Sequence, residues 1–482
     1  MSLSASLSNA LSGLQYASRA AEVTSSNVAN ALNEGYARRV LEVSARSIGS
    51  ESQGVRLLGV TRIVDQVLLA DRRLAEAATG DRDARAAYFG RLEAVIDTAV
   101  SGSLLDRIAD FDTALISAAS RPDSEARLAE VLSSAKALAS GINFVATELQ
   151  QARMTADAAI AREVEALNVA VRGVWELNRL ITERAVSGED VSALEDQRQQ
   201  LVDQVSSIVP LREVQRSYGQ IALFTTSGGV LLDGLPSELG FTPHPVIVPE
   251  MTLAGGLLSG LTLKGRSLAT AGEASVIAGG SLAAHFAIRD QLAPEGQVQL
   301  DALARDLVER FADPALDPSR APGDAGLFTD DGAAFLAADE LGLAGRLSVN
   351  ALVDPDQGGL LRRLRDGLAA PAGPVGDASL LLALDDALTA GRVPVSGFLS
   401  GARSFAGLAS DLLSDVSIAR LAADSEASFA AARWDALHQQ ELELGVDSDA
   451  EMQQMLLIEQ AYAANAKIVQ TLDDLLALLL EM

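Results

Sequence analysis

Chemistry in an unfamiliar chain starts with histidine, cysteine or clustered carboxylates, and here those residues are sparse. Cysteine is absent, which removes disulfides, thiolate metal sites and cysteine nucleophiles. The three histidines, His244, His285 and His438, are scattered, and none has the spacing at which two imidazoles on one helix face share a metal. No HEXXH, P-loop or dinucleotide-binding glycine fingerprint occurs. Asp354, Asp356 and Gly358 echo a calcium loop, but Arg365 stands where the bidentate glutamate belongs, so no cation is expected there. Asp330 and Asp331 read as solvated loop carboxylates, and Trp175 and Trp434 as core residues of a helical region. The expectation is no cofactor, no metal and no enzyme; the residues left to recognise a partner are the amides and apolar stripes at the two chain ends.

The elements that position those residues are helices. Toward the C-terminus, Met455, Ile458, Tyr462, Asn465, Val469, Leu472, Leu476 and Leu479 alternate at spacings of three and four, the seam of a helix packed along another helix. Asn465 on that seam either lowers stability while fixing register or is a satisfied surface amide. Ser448 with Glu451 three residues on predicts a capping box, and Asp447 and Asp449 suit the positive end of the helix dipole. No glycine or proline stops the helix after Leu480. Burial of one seam does not offset the entropy of ordering so long a segment, so the tail is expected to be mobile alone and ordered against partners.

The N-terminal segment 3–32 is its counterpart. Leu3, Leu7, Ala10, Leu14, Ala17, Ala21, Thr24, Val28 and Ala31 again alternate between four and three, with small residues that allow close approach. Gly35 is expected as the residue just past the helix end. Asn27 and Asn30 share a face, where they either bridge neighbouring subunits or fray the helix toward Gly35. The two seams either close one chain on itself or join separate chains.

The rest of the chain has a nested order. All prolines but Pro122 lie between Pro210 and Pro394, which leaves both ends free to form long helices. Alternation around 36–60 predicts a short hairpin or an extended connector, and the periodicity beyond it predicts helices at 62–78, 81–99, 103–119, 123–186 and 190–207. Three short strands are expected after Pro210, joined at Tyr218-Gly219 and Gly228-Gly229, then one helix around 297–312 and a loop over 313–332. A helix over 401–443, with Leu408, Leu412, Val416, Ala419 and Ala423 on one face, should return to pack on the earlier helices. The fold class is mainly α with an inserted β-rich domain. Its domains are a terminal helical unit of 1–36 plus 446–482, a helical body of 37–209 plus 396–445, and an inserted domain of 210–395.

Charge narrows the partners. With 38 Lys and Arg against 65 Asp and Glu among 482 residues, the net charge of −27 argues against nucleic acid and anionic membrane surfaces. The longest apolar run, Leu475–Leu480, is far short of a membrane span, so no membrane insertion is expected. The N-terminus lacks the basic start and apolar block of a cleaved secretory signal.

Both ends resemble the signatures of the bacterial flagellar axial proteins. At the N-terminus the matching residues are Ser12, Gly13, Leu14, Asn27, Asn30, Gly35, Tyr36 and Arg38. At the C-terminus they are Gly445, Val446, Glu451, Gln460, Ala461, Tyr462, Asn465, Ala466, Gln470 and Thr471. Rod, hook and hook-associated proteins share these ends. Gly-Tyr followed by Arg38, the segment GVTRIVDQVLLADRRLAEA, the Arg-Pro-Asp at 121–123 and LEDQRQQLVDQVSSIVPL look like the hook-associated branch.

That resemblance implies a structural subunit of the hook–filament junction, extracellular and exported through the flagellar channel without a cleaved signal peptide. The implied partners are its own copies in a ring, the hook protein on one side, filament or a further hook-associated protein on the other, and an export chaperone. The alternatives are another axial subunit, such as a hook or distal rod protein, a secreted coiled-coil adhesin, or an enzyme built on the central domain.

Overall fold

The computed structural model describes residues 3–33, 35–48, 51–96, 102–272, 275–396 and 401–480, and the side chains of 47, 48, 51–53, 479 and 480 lie outside that description. Helix α1 (Leu3–Ala29) leads into a twisted antiparallel hairpin, β1 (Arg39–Ile48) and β2 (Glu51–Arg62). The expected hairpin is present, and its β2 strand lies along α1. Helix α1 ends before the expected stop. Gly35 instead has φ +83° in the turn that follows, where a Cβ would strike the Gln200 side chain.

Helices α2 (Gln66–Ile96), α3 (Leu104–Ser120), α4 (Glu125–Val186) and α5 (Ser192–Ile208) form the body. Asp65 opens α2 by accepting from the N–H groups of Val67 (2.9 Å) and Leu68 (3.1 Å), and Ser103 opens α3 by accepting from the N–H of Asp106 (3.1 Å). The break expected between 78 and 81 is absent, because Gly80 is a packing residue: a Cβ there would sit 3.3 Å from the Ser207 carbonyl oxygen. The expected end of that helix, 97–99, lies outside the described residues.

The segment after Pro210 begins as expected. Strands β3 (Leu211–Gln215), β4 (Ile221–Thr225), β5 (Val230–Asp233) and β6 (Leu235–Pro236) form one antiparallel sheet. Tyr218, Gly219 and Gly228 adopt positive φ at its turns. A three-stranded sheet of β7 (Leu239–Gly240), β8 (Thr262–Leu263) and β9 (Arg266–Ser267) follows. Beyond it the chain is more helical than expected: α6 (Ser281–Ala287), a π turn at Ile288–Leu292 and α7 (Ala293–Ala312). The short pair β10 (Phe328–Asp330) and β11 (Leu347–Val349) brackets α8 (Leu343–Arg346), and α9 (Arg363–Asp366) and α10 (Ser379–Thr389) complete the segment. Helix α11 (Phe405–Glu443) then returns along α2 as expected, and α12 (Ser448–Leu480) pairs with α1. The fold is mainly α with a small β part.

One helix organises this body. The 62-residue α4 spans about 90 Å at 1.5 Å per residue and crosses two cores. Its first half, from Leu128 to Ala156, packs with α3, α7, α10 and α11; its second, from Ile160 to Val174, packs with α5, α6 and the four-stranded sheet. Both cores thus contain residues from either side of Pro210. Between them lies a buried polar waist. The π turn aims Arg289 at Asp157 (2.7 Å), while Arg153 donates to the carbonyls of Arg289, Val248 and Met251. These bonds fasten the loop around 244–259 to α4.

In the first core Phe111, Phe311 and Phe328 meet with ring centroids 5.2 to 5.8 Å apart. Phe111→Ala should lower unfolding free energy by about 3 to 5 kcal/mol, read from urea denaturation. A loss under about 1 kcal/mol would contradict the central position of this trio.

Candidate assembly surface at the chain termini

Helices α1 and α12 run antiparallel. Asn27 meets Glu451 and Gly13 faces Asn465, so the register advances by the same number of residues along each helix. Of the N-terminal seam, Ala10 and Ala17 are buried, Leu7, Leu14, Ala21 and Val28 are half-buried, and Leu3 lies exposed near the end of the pair. Of the C-terminal seam, Ile458 and Leu472 are buried and Met455, Asn465 and Val469 half-buried. Tyr462 departs from expectation at 50% exposure, while the neighbouring Ala461 is half-buried. Leu476 is exposed where α12 outruns α1, and the Leu479 side chain lies outside the described residues.

Small residues set the approach. A Cβ on Gly13 would fall 2.7 Å from the Asn465 amide, which folds back to donate to the Ala461 carbonyl (2.9 Å). Ser12 fixes the hairpin: its Oγ accepts from the N–H of Val55 (3.1 Å), and a Cβ on Gly54 (φ +92°) would collide with that oxygen.

The tightest contact is polar. Asn27 is 1% exposed; its Nδ2 donates to the Arg39 carbonyl (2.9 Å) and Glu451 Oε2 (3.1 Å), and its Oδ1 accepts from Tyr36 Oη (2.9 Å) and the Arg39 N–H (3.0 Å). Glu451, 2% exposed, takes Arg38 Nε on its other oxygen at 2.7 Å. Of the signature residues, Asn27, Tyr36, Arg38 and Glu451 therefore form one buried network within the chain. Asn30 does not join it; its Nδ2 donates to the Ser26 carbonyl (2.8 Å) as a local cap.

This network corrects the expected capping box. Asp447, not Ser448, caps α12, accepting from the N–H groups of Asp449 (2.9 Å) and Ala450 (3.1 Å). A carboxylate suits the positive helix end, and Arg38 and Asn27 draw Glu451 away from it.

A second cluster ties this unit to the body. Asp196 of α5 accepts from Arg39 Nη2 (2.8 Å), Arg62 Nε (2.8 Å) and the Ala37 N–H (3.3 Å). Two residues on, Arg198 Nη1 donates to Asn178 Oδ1 (2.9 Å) and the Gly219 carbonyl (2.6 Å). Next to it Arg72 pairs with Glu76, Asp203 and Glu441, and Arg73 with Asp203 and Glu213. Burial pushes the Glu76 carboxyl above its ordinary range, Arg72 opposing and Asp203 adding to the shift. The internal segments that carry the resemblance, 59–77 and 194–211, are thus the two sides of one ion-pair spine.

Residues 89–314 match the family described as the flagellar hook-associated protein FlgK helical domain, and residues 443–482 match the flagellar basal body rod FlgEFG protein C-terminal family. Flagellar hook-associated protein 1 of Bacillus subtilis (strain 168) is 24% identical over 490 residues, covering 95% of this chain and 94% of its own. The chain carries a FlgK helical domain and a flagellar rod-type C-terminal segment. Flagellar hook-associated protein 1 of Escherichia coli (strain K12) is 24% identical over 334 residues, 67% of this chain and 59% of that protein. The solved flagellar hook junction protein FlgK from Burkholderia pseudomallei aligns at 19% identity and a TM-score of 0.44, covering 54% of this chain and 46% of that one.

The most informative feature of the terminal pair is one that the seam pattern alone left out. Leu457, Ala461, Ala464, Ile468, Thr471, Leu475 and Leu478 repeat the four-three alternation one position behind the inner seam, about 100° around the helix. All but Ala461 are exposed, Leu457 at 60% and Leu478 at 62%. On the opposite flank of α12 a groove of about 600 Å³ is lined by Leu7, Ala463, Ala466, Val469 and Leu476, with Lys467, Gln470 and Asp473 at its polar edge. The signal was present in the spacing, since α12 is apolar on more than one face.

The residues with chemical side chains stay apart. His285 lies 3.5 Å from Glu163, His438 stacks on Trp434 at 5.0 Å, and the backbone N–H of His244 bonds Asp157. Asp354 pairs with Lys136 Nζ at 2.7 Å, so a lysine occupies the position a cation would take. Among the described residues no group of three or more His, Cys, Asp or Glu could hold a metal ion, and no helix is long and apolar enough to cross a membrane. Trp175 packs at the edge of the second core.

Asn27→Ala strands the Arg39 N–H and carbonyl, the Tyr36 hydroxyl and one Glu451 oxygen. It should cost about 1 to 3 kcal/mol and raise hydrogen exchange at 448–456. Asn30→Ala should leave that exchange unchanged, and equal effects of the two variants would contradict the network.

Proposed function

We propose that this chain is the structural subunit that joins hook to filament in the bacterial flagellum, and that its copies assemble in a ring through the α1–α12 pair. The observation that carries the reading is the exposed outer seam of α12 together with the α1–α12 groove on its opposite flank. One face of α12 is satisfied within the chain, whereas the other is an apolar stripe of heptad spacing with no partner among the described residues. A stripe on one copy that fills a groove on the next is a heterologous contact, the kind that generates rings and helical tubes.

The names of the relatives supply the setting: a flagellar component associated with the hook. On this reading the hook protein lies on one side of the ring and filament or a further hook-associated protein on the other. The chain reaches that place through the flagellar channel. An export chaperone shields the outer seam on the way, since so apolar a face would otherwise associate early. The body supports the tube and performs no catalysis.

Ile468→Asp combined with Leu475→Asp should abolish incorporation into flagella, and motility with it, while circular dichroism and the melting temperature of the monomer stay near wild type. Ile458→Asp, on the inner seam, should instead loosen α12 from α1 in the monomer. Normal incorporation of the Ile468/Leu475 double variant would refute assembly through this face.

A further inference from the structure

Away from the termini, two carboxyl groups face each other with no cation between them. Asp112 of α3 and Asp385 of α10 come within hydrogen-bonding range of one another where the two helices pack, and each keeps one oxygen that is shut off from solvent and meets no N–H or O–H donor among the described residues. Two ionised carboxylates so placed repel, so the contact closes only when they share a proton. We propose that the Asp112–Asp385 contact is a proton-operated latch: one shared proton seats α10 on α3, and loss of that proton loosens α10 from the first core.

The surroundings leave the pair to itself. On α10 the neighbouring Asp386 adds further negative charge. On α3, Asp106 accepts from the Gly102 N–H, and Arg107 donates to the carbonyls of Gly102 and Ala137. From α7, Arg310 is taken by Asp306 and by the carbonyls of Ala387, Ala390 and Arg403, which hold the far end of α10. From α9, Arg365 is paired with Asp366, and Arg363 lines a small cavity with Leu380 and Leu384. Just before α11, Arg403 is paired with Asp411 of that helix. Burial, the hydrogen bond and charge of Asp112, and the charge of Asp386 together push Asp385 up to about 6.

The sign follows. A carboxyl whose folded-state pKa is raised favours the folded state when protonated. Its stabilisation is complete below the ordinary carboxyl range, declines as pH rises toward about 6, and is absent above it. Helix α10 covers the core with Leu381, Leu384 and Leu388, so it is the element released when the latch opens.

Hydrogen exchange of the intact chain tests this through the ratio of protection at 379–390 to protection at 131–149, because the intrinsic pH dependence of exchange cancels in the ratio. In wild type the ratio should fall about tenfold between about pH 4.5 and about pH 7.5. In Asp385→Asn, whose amide donates to Asp112 without a shared proton, it should be flat and stay at the wild-type acid value. Asp112→Asn should behave alike and serves if the first variant does not fold. A flat wild-type ratio, or variants that keep the wild-type slope, would overturn the latch.

Discussion

The arrangement of the termini depends on one buried contact, between Asn27 near the end of α1 and Glu451 at the start of α12. A carboxylate that is 2% exposed is tolerable only when its oxygens are paired, and here Arg38 and Asn27 pair them. Because Asn27 also holds the Arg39 backbone and the Tyr36 hydroxyl, the same four groups fix the end of α1, the turn after it and the first turn of α12. Register along the rest of the pair follows from that anchor and from the meeting of Gly13 with Asn465. The apolar seam supplies attraction and the polar network supplies position.

Position would be useless without a rigid body behind it. The Asp196 cluster carries the constraint from the hairpin into α5, and the Arg72 and Arg73 pairs carry it on to α2, α11 and β3. The long α4 then spans both cores, with the Arg153–Asp157–Arg289 waist preventing the two halves from packing as separate pieces. Burying so many charges costs desolvation, and each is retained with a partner that specifies geometry. Where the pairing is incomplete, between Asp112 and Asp385, the fold has a point that responds to protons.

Much of this was legible in the residues. Proline placement left the ends free to be helical, the four-three spacing marked both helices of the terminal pair, and Tyr218-Gly219 and Gly228 marked turns that need positive φ. Local pattern failed where the partner is distant. Glu451 looks like half of a capping box until Arg38 and Asn27 arrive from the other end of the chain, and Gly80 looks like a break until Ser207 packs against it. Helix α10 was hidden by the glycine and proline of its flanks, although its own sequence alternates leucines suited to a helix face. The outer seam of α12 was visible in the spacing but overshadowed by the inner one, because the two differ by a single step around the helix.

The central claim is that α12 is half satisfied within its own chain and half reserved for another copy. Hydrogen exchange along α12, compared between isolated monomer and assembled junctions, tests it most directly. The account predicts protection along the inner seam, where Glu451, Ile458 and Leu472 are buried, already in the monomer, and a large further gain at 464–478 on assembly. Free exchange along the whole of α12 in the monomer would deny the intrachain pair. Protection at 464–478 that did not change on assembly would deny the second seam its partner.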